Sequence, residues 1–423
     1  MSYIAMAIPA LEHGGTERTV LTVTRGLIAR GHKVDLVMFE PSFGYAGEMP
    51  AEARLFVLSE QTSFLPANFP VKPEYIVERA SFLGAVKLAA HLTLEFSKPR
   101  IVLNGRAIVR ALRLYRWVQR EKPDILFANL PPVELAALQA SRIAEEFPPV
   151  VPVAHGAVRP RQTVRRRLFF PSAAHVVAVS RSLADSIADA TNMPRDRLSV
   201  IYNPTDMSAV RQRAKEAPDH PWFGVATPPV VLSAGRLAPE KDFLTLIEAF
   251  RRVIANRPCR LVILGEGPMR AEIEDRIRVL GVEDSVSLPG FVENPFAFMS
   301  RAALFVLSSI HEGLGNVLVE AMVCGCRAVS TDCPGGVAEI LQDPELLSPV
   351  GDPDALASVM MRALDRPADR AELLAKLASF TMERAVDGYE GVVERVLRER
   401  WDQRPGRRGR CRAPPPTEPS VRD

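Results

Sequence analysis

The sequence predicts an α/β chain of two doubly wound parallel-sheet domains facing a cleft. Three observations predict it. Short apolar runs without alternation recur along the chain, as strands buried on both faces require. Amphipathic stretches of helical length separate them. The alternation is broken once, by a Pro-rich stretch at 203–228, and then begins again.

In the first half, 3–10 is a strand, Gly14–Gly15 a turn, and 16–30 a helix stopped by Gly31. Further strands fall at 33–39, 54–58, 100–103, 124–128, 150–154 and 175–179, with helices at 84–96, 106–120, 132–145 and 181–190. The segment 41–75 is irregular. In the second half, strands at 229–235, 259–265, 285–291, 302–309 and 327–331 alternate with helices at 242–256, 268–280, 294–300 and 316–324. Helices at 353–364 and 370–399 complete the folded part. The expected domains are 1–205 and 206–384, with a helix at about 385–400 packing back on the first. Residues 401–423 form a basic, Pro-rich tail that cannot bury apolar area and is expected to be disordered.

A length of 423 residues with 47% hydrophobic and 24% charged residues excludes fibrous and wholly disordered classes. No run of 18 apolar residues suggests a spanning helix, and the opening MSYIAMAIPA lacks the basic region of a signal peptide. The net charge of +3 is carried entirely by the tail, where six arginines meet three acids. A globally basic nucleic-acid binder is therefore disfavoured. Five cysteines are sparse and odd in number, which fits reduced thiols in the cytosol.

Ligands of open α/β sheets bind at the carboxyl ends of strands. In SAGRLAPEKDF (233–243), Arg236 and Lys241 follow a strand end, a pair suited to a pyrophosphate or, alternatively, two ordinary surface cations. LGEGPMR (264–270) is a weak glycine turn, and SLPGFVEN (287–294) ends a strand where backbone groups could meet a planar base edge. The richest segment is SSIHEGLGNVLVEAMVCG (308–325). Its glycines Gly313 and Gly315 let the chain bend round a ligand before a helix that begins near Asn316. Glu312 lies in the loop and Glu320 in the helix, where each carboxylate can accept two hydroxyl protons. The neighbours of Glu320 are apolar, so an unpartnered carboxylate there would be costly and function is the better reading.

The stretch 308–341 resembles the E-x7-E region of retaining, family 4 type glycosyltransferases, which have the GT-B fold. HGGTERTVLTVTRGLIARGHKVDLV, VAVSRSLADSI, IYNP, SAGRLAPEKDF and LGEGPMR extend the resemblance over most of the chain. It implies transfer of a hexose or N-acetylhexosamine from a nucleoside-diphosphate sugar, with UDP the expected nucleotide. The nucleotide sugar is a substrate, and no cofactor is implied. Glu320 would hold the ribose hydroxyls and Glu312 the donor sugar, with the backbone of Gly313, Leu314, Gly315 and Asn316 along the sugar and phosphate. Arg236 and Lys241 would hold the pyrophosphate, Phe291 and Val292 the base, and Gly14–Gly15 would approach from across the cleft. His155 matches the family histidine that faces the donor sugar; a mere strand-terminal histidine is the alternative. The anomeric configuration would be kept, with the leaving phosphate helping to deprotonate the acceptor. There is no D-x-D, so a metal-dependent pyrophosphate site is not indicated. Cys324, Cys326 and Cys333 are too crowded and too short of ligands for zinc.

Two basic clusters bear on the acceptor. Arg106, Arg110, Arg113, Arg116 and Arg120 form a stripe on helix 106–120. Arg159, Arg161, Arg165, Arg166 and Arg167 precede Leu168, Phe169 and Phe170. Basic residues beside exposed aromatics suit an anionic inner-leaflet surface and a lipid-linked or cell-surface glycan acceptor, lipopolysaccharide among them. That predicts a cytoplasmic protein peripheral on the inner face of the membrane. A solvated helix face with core phenylalanines is the alternative. Competing functions are a GT-B nucleotide-sugar epimerase or hydrolase, and a non-catalytic partner in a polysaccharide assembly complex. Nucleic acid is not an expected partner, since no aromatic platform accompanies the arginines.

Overall fold

A computed structural model of the chain describes residues 1–12, 14–59, 74–75, 105–142, 144, 146–156, 166–224, 228–366 and 369–402. The helix expected at 84–96, the strand at 100–103, Arg165 and the tail from 403 lie outside the described residues.

The first sheet holds β1 (Tyr3–Ile8), β2 (Lys33–Met38), β3 (Arg54–Val57), β4 (Glu74–Tyr75), β5 (Ile125–Asn129), β6 (Val150–Ala154), β7 (Val176–Ala178) and β8 (Leu198–Val200), in the order β4-β3-β2-β1-β5-β6-β7-β8. Every pairing is parallel. Helices α1 (Gly15–Ala29), α2 (Gly105–Glu121), α3 (Pro131–Arg142) and α4 (Arg181–Thr191) accompany it. Both β5 and β6 are buried along their whole length, which is why their sequences show continuous apolar runs.

After the short helix α5 (Met207–Arg213), the second sheet holds β9 (Val230–Ala234), β10 (Arg260–Leu264), β11 (Val286–Gly290), β12 (Leu304–Leu307), β13 (Ala328–Thr331) and β14 (Leu347–Ser348), in the order β11-β10-β9-β12-β13-β14. Its helices are α6 (Phe243–Ile254), α7 (Arg270–Leu280), α8 (Pro295–Met299), α9 (Asn316–Val323), α10 (Val337–Leu341), α11 (Pro353–Leu364), α12 (Arg370–Leu377) and α13 (Met382–Asp402). Strand order reverses between β1 and β5 in the first sheet and between β9 and β12 in the second. Each reversal opens a crevice at the strands' carboxyl ends.

The helix expected at 370–399 is two helices. The chain turns between Leu377 and Met382, where Phe380 is buried and stacks on Tyr202 with centroids 5.0 Å apart. Thr205 N donates to Phe380 O at 2.9 Å, so the break is tied to the chain leaving the first sheet. Beyond it, α13 packs on α1. Val386, Tyr389, Val393 and Val396 share a core with Val20, Leu27 and Phe127, and Gly26 lets Val386 approach α1 closely. Arg30 secures the surface of this contact through Asp387 at 2.8 Å and Glu390 at 3.0 Å.

Candidate active site

The turn after β12 is shaped by the opposite sheet. A Cβ on Gly313 would stand 1.9 Å from the His155 carbonyl oxygen, so only glycine lets this loop meet the end of β6. Ser180 Oγ donates to Gly313 O at 2.9 Å from the first-sheet side. Gly315 has φ 97° and turns the chain into α9, whose first residue Asn316 accepts from Asn203 Nδ2 at 2.9 Å. Gly15, at the start of α1, comes up beside the Asn316 amide. Gly14 is the N-cap of α1. Leu314 is a core side chain, so only its backbone can serve a ligand.

Lys241 and Glu312 meet in this crevice. Lys241 Nζ lies 2.5 Å from Glu312 Oε1, which also accepts from Ser309 Oγ at 2.6 Å. Ser308 Oγ donates to Lys241 O at 2.8 Å and Ile310 N to Glu240 O at 2.9 Å, binding the Lys241 turn to the β12 loop. Arg236 stands exposed at the rim, with no ion pair among the described residues. Phe291 is 61% exposed at the end of β11, and Val292 is half-buried against the core.

Glu320 points from α9 toward the first sheet, where Arg18 Nη1 of α1 lies 3.1 Å from its Oε1. Burial pushes the Glu320 carboxyl above its ordinary range, and Arg18 opposes that shift. The Arg18 guanidinium also sits over Tyr45 and Phe296, at 5.1 and 5.6 Å from the ring centroids. A cavity of about 330 Å³ opens beside the pair, lined among others by Thr22, Arg213, Phe296 and Asn316.

His155 closes the site on the first-sheet side. Its Nε2 lies 2.9 Å from Asn129 Oδ1, at the end of β5. Burial pushes its pKa down to about 4, helped by the positive charge of Arg166 and opposed by Asn203. Arg166 is 3% exposed and paired with buried Glu134 at 3.2 Å. It therefore faces the core and not a membrane, a correction to the expected basic surface. Phe169 and Phe170, 2% and 1% exposed, are core residues as well. Arg106 and Arg167 are exposed, whereas Arg110 pairs with Glu40 and Arg113 donates to Leu58 O at 3.2 Å.

Burial raises the Cys324 and Cys333 thiols to about 12. Among the described residues no cluster of three or more His, Cys, Asp or Glu side chains could hold a metal ion.

Sequence reasoning missed four residues that the fold brings here: Arg18, Asn129, Ser180 and Glu339. Glu339 accepts from the backbone N–H of Arg181 and Ser182, both at 3.0 Å, and from Tyr202 Oη at 2.7 Å, so α10 caps the N-terminus of α4 on the other sheet. Arg18 had a local signal, a cation in the first turn of a helix after two glycines. Glu339 had none.

A family model described as Glycosyltransferase Family 4 matches residues 13–209, and one described as Glycosyl transferases group 1 matches residues 228–366. The chain belongs to the family 4 type glycosyltransferases, with the GT-B arrangement of two doubly wound sheets facing a cleft. Over 179 residues, 42% of the chain, it is 31% identical to the N-acetylgalactosamine-N,N'-diacetylbacillosaminyl-diphospho-undecaprenol 4-alpha-N-acetylgalactosaminyltransferase of Campylobacter jejuni subsp. jejuni serotype O:2. That match spans 47% of the relative's length, about half of it. It is 28% identical to the lipopolysaccharide core biosynthesis glycosyltransferase LpsE of Rhizobium meliloti, over 76% of this chain and 84% of that one. The crystal structure of Anabaena HepE in complex with UDP superposes with a TM-score of 0.68 at 18% identity, covering 93% of this chain and 100% of that one. At that identity the likeness shows the fold.

Proposed function

We propose that the protein transfers a hexose or N-acetylhexosamine from a nucleoside-diphosphate sugar, UDP-linked, to a lipid-linked or other cell-surface glycan, with retention at the anomeric carbon. The observation that carries the reading is the convergence of Lys241, Glu312 and the opening of α9 on one crevice, with Glu320 one level deeper. On this reading Lys241 and Arg236 neutralise the diphosphate as it leaves, without a requirement for a metal ion. Glu320 accepts from the ribose hydroxyls and Glu312 from the sugar, while backbone at Phe291 and Val292 meets the base. The bond from the anomeric carbon to the phosphate oxygen breaks as the acceptor oxygen attacks the same face. The acceptor's proton passes to the departing phosphate. Residues 206–384 then form the donor half, and 1–205 the acceptor half.

The names of two relatives support this acceptor reading: one is a diphospho-undecaprenol-directed transferase and another a lipopolysaccharide core enzyme. The exposed arginines Arg106 and Arg167, with Arg110 and Arg113 nearby on α2, are the surface we assign to anionic inner-leaflet lipid, placing the protein on the cytoplasmic side. No helix among the described residues is long and apolar enough to cross a membrane.

The test is nucleotide release from UDP-, GDP- and ADP-sugars, with and without a membrane lipid extract. Extract-dependent release from one donor, lost in Lys241→Ala and Glu312→Ala, supports transfer. Extract-independent release of free sugar supports a hydrolase instead. Absence of both binding and turnover removes the donor-site assignment.

A further inference from the structure

Glu320 projects from α9 into the cleft, where its Oε1 accepts from Arg18 Nη1 of α1 at 3.1 Å. Both side chains keep some exposure, 29% for Arg18 and 16% for Glu320, and both line the cavity of about 330 Å³. The guanidinium therefore stands in the space from which a ligand would approach the carboxylate. Arg213 of α5 adds positive charge near Glu320, but its own Nη2 donates to Glu293 O at 2.5 Å.

Arg18 has a second acid within reach. Its Nε lies 3.9 Å from Glu48 Oε2, on the first-sheet side. Glu48 is fixed to the same body as Arg18. Its carbonyl accepts from Arg25 Nη2 of α1 at 2.9 Å, and its N–H donates to Tyr45 O at 3.0 Å. The aromatic faces divide in the same way. Tyr45, 5.1 Å from the guanidinium, belongs to the first half with Glu48, and Phe296, at 5.6 Å, to the second half with Glu320. Arg18 thus lies between two sets of partners, each an acid and a ring, one on its own half and one across the cleft. A vicinal diol donates two hydrogens, one to each oxygen of a carboxylate, and Arg18 already holds Oε1 from the cavity side. Arg18 and a ribose are then alternative means of compensating the same shielded charge. An arginine displaced to no partner would be costly, and Glu48 is the acid that can receive it.

We propose that Arg18 is an exchangeable clasp: in the free protein it holds Glu320 across the cleft, and the ribose hydroxyls of the donor displace it onto Glu48. Donor binding and the ion pair between the halves then compete for one carboxylate, so filling the nucleotide site releases α1 from α9. The proposal rests on the donor site assigned above.

The experiment is calorimetric titration of the full chain with UDP, GDP and ADP. Wild type and Glu320→Gln first establish which nucleotide binds and that its binding uses Glu320. In Arg18→Gln the competitor is gone, and the affinity for that nucleotide is expected to rise about fivefold to tenfold. In Glu48→Gln the displaced guanidinium has no acid to receive it, and the affinity is expected to fall about threefold, although Glu48 itself is given no ligand contact. Both effects come from one exchange, so Glu48→Gln is expected to change nothing in the Arg18→Gln background. Weaker nucleotide binding in Arg18→Gln, the result for an arginine that touches the ligand or only supports the fold, overturns the exchange. So does an unchanged affinity in Glu48→Gln, or a Glu48→Gln effect that persists in the double variant. Glu48 is the more exposed of the two, at 39%, and its variant decides the matter should Arg18→Gln fail to fold. If no nucleotide binds wild type, or if Glu320→Gln binds as tightly, the donor reading falls and the exchange with it. Binding that needs Glu320 but is indifferent to Arg18 and Glu48 leaves the donor reading standing and removes the exchange alone.

Discussion

Arg18 and Glu320, 302 residues apart, face each other across the cleft with Nη1 and Oε1 3.1 Å apart. The pair joins the first helix of one sheet to the helix that carries the second acidic residue of the other. Its partners are largely shielded, so each depends on the other for compensation.

Arg18→Ala is expected to destabilise the protein by about 2 kcal/mol at neutral pH, less than the loss when a fully buried pair is broken. The pH dependence has a definite sign. Burial raises the folded-state pKa of Glu320, so its unfavourable contribution is absent in acid and grows as pH rises through that pKa. Removing Arg18 raises the pKa further, and the deficit of the variant should shrink on mild acidification. Thermal unfolding of both proteins across pH 5–8 measures this; a pH-independent deficit would argue against the pairing.

His155 titrates in the opposite sense. With a folded-state pKa of about 4 against about 6.5 when unfolded, the unfolded chain binds the proton first as pH falls. Stability is expected to be fully present above about pH 6.5 and to drop by up to about 3 kcal/mol as pH approaches 4. His175, also pushed down to about 4 by burial, adds to the same slope. Urea denaturation at stepped pH should show a shallower acid decline in His155→Gln.

Lys241→Ala removes the cation held 2.5 Å from Glu312 and is expected to lower turnover about 10²–10³-fold. Lys241→Arg keeps the charge but not the compact ammonium, and an intermediate rate is expected. Steady-state nucleotide release reads both.

Gly313→Ala would drive a methyl group into the His155 carbonyl, a rigid backbone atom. The loop must retreat, costing about 1–3 kcal/mol. The expected protein is folded by circular dichroism, yet has lost sugar-nucleotide affinity.

Glu339→Gln keeps the side chain's shape but replaces one of its two accepting oxygens with an NH₂ facing a donor, and a stability loss of about 1 kcal/mol is expected. Glu339→Ala leaves the Arg181 and Ser182 N–H groups and the Tyr202 hydroxyl without this partner, so a larger loss is expected in the same thermal melt.

The sequence exposed what depends on local pattern. Strands β1, β2, β5, β6, β9, β10 and β12 are buried on both faces and announced themselves as apolar runs. The edge strands β8 and β14 span three and two residues, too short for any periodicity to register. The break before α13 was hidden because Ser379, Phe380 and Thr381 contain neither Gly nor Pro; the turn is imposed by burial of Phe380 against Tyr202. In the site, Glu312 and Glu320 were visible as acids in an apolar setting. Asn129 and Glu339 were not singled out, because each acquires its role from partners far away in sequence. Arg166 misled for the same reason: the carboxylate that draws it inward is Glu134, on another helix.

The return of α13 to the first sheet means that the polypeptide passes between the two halves twice, near Thr205 and near Phe380, and the two passages are bonded to each other. A single tether would let the halves swing and twist in any direction. Two adjacent passages act as a pivot, leaving rotation about one line as the soft motion and resisting torsion and sliding. A cut in either passage would leave the other still joining the halves, so the geometry of approach survives chain scission that would separate a singly linked pair.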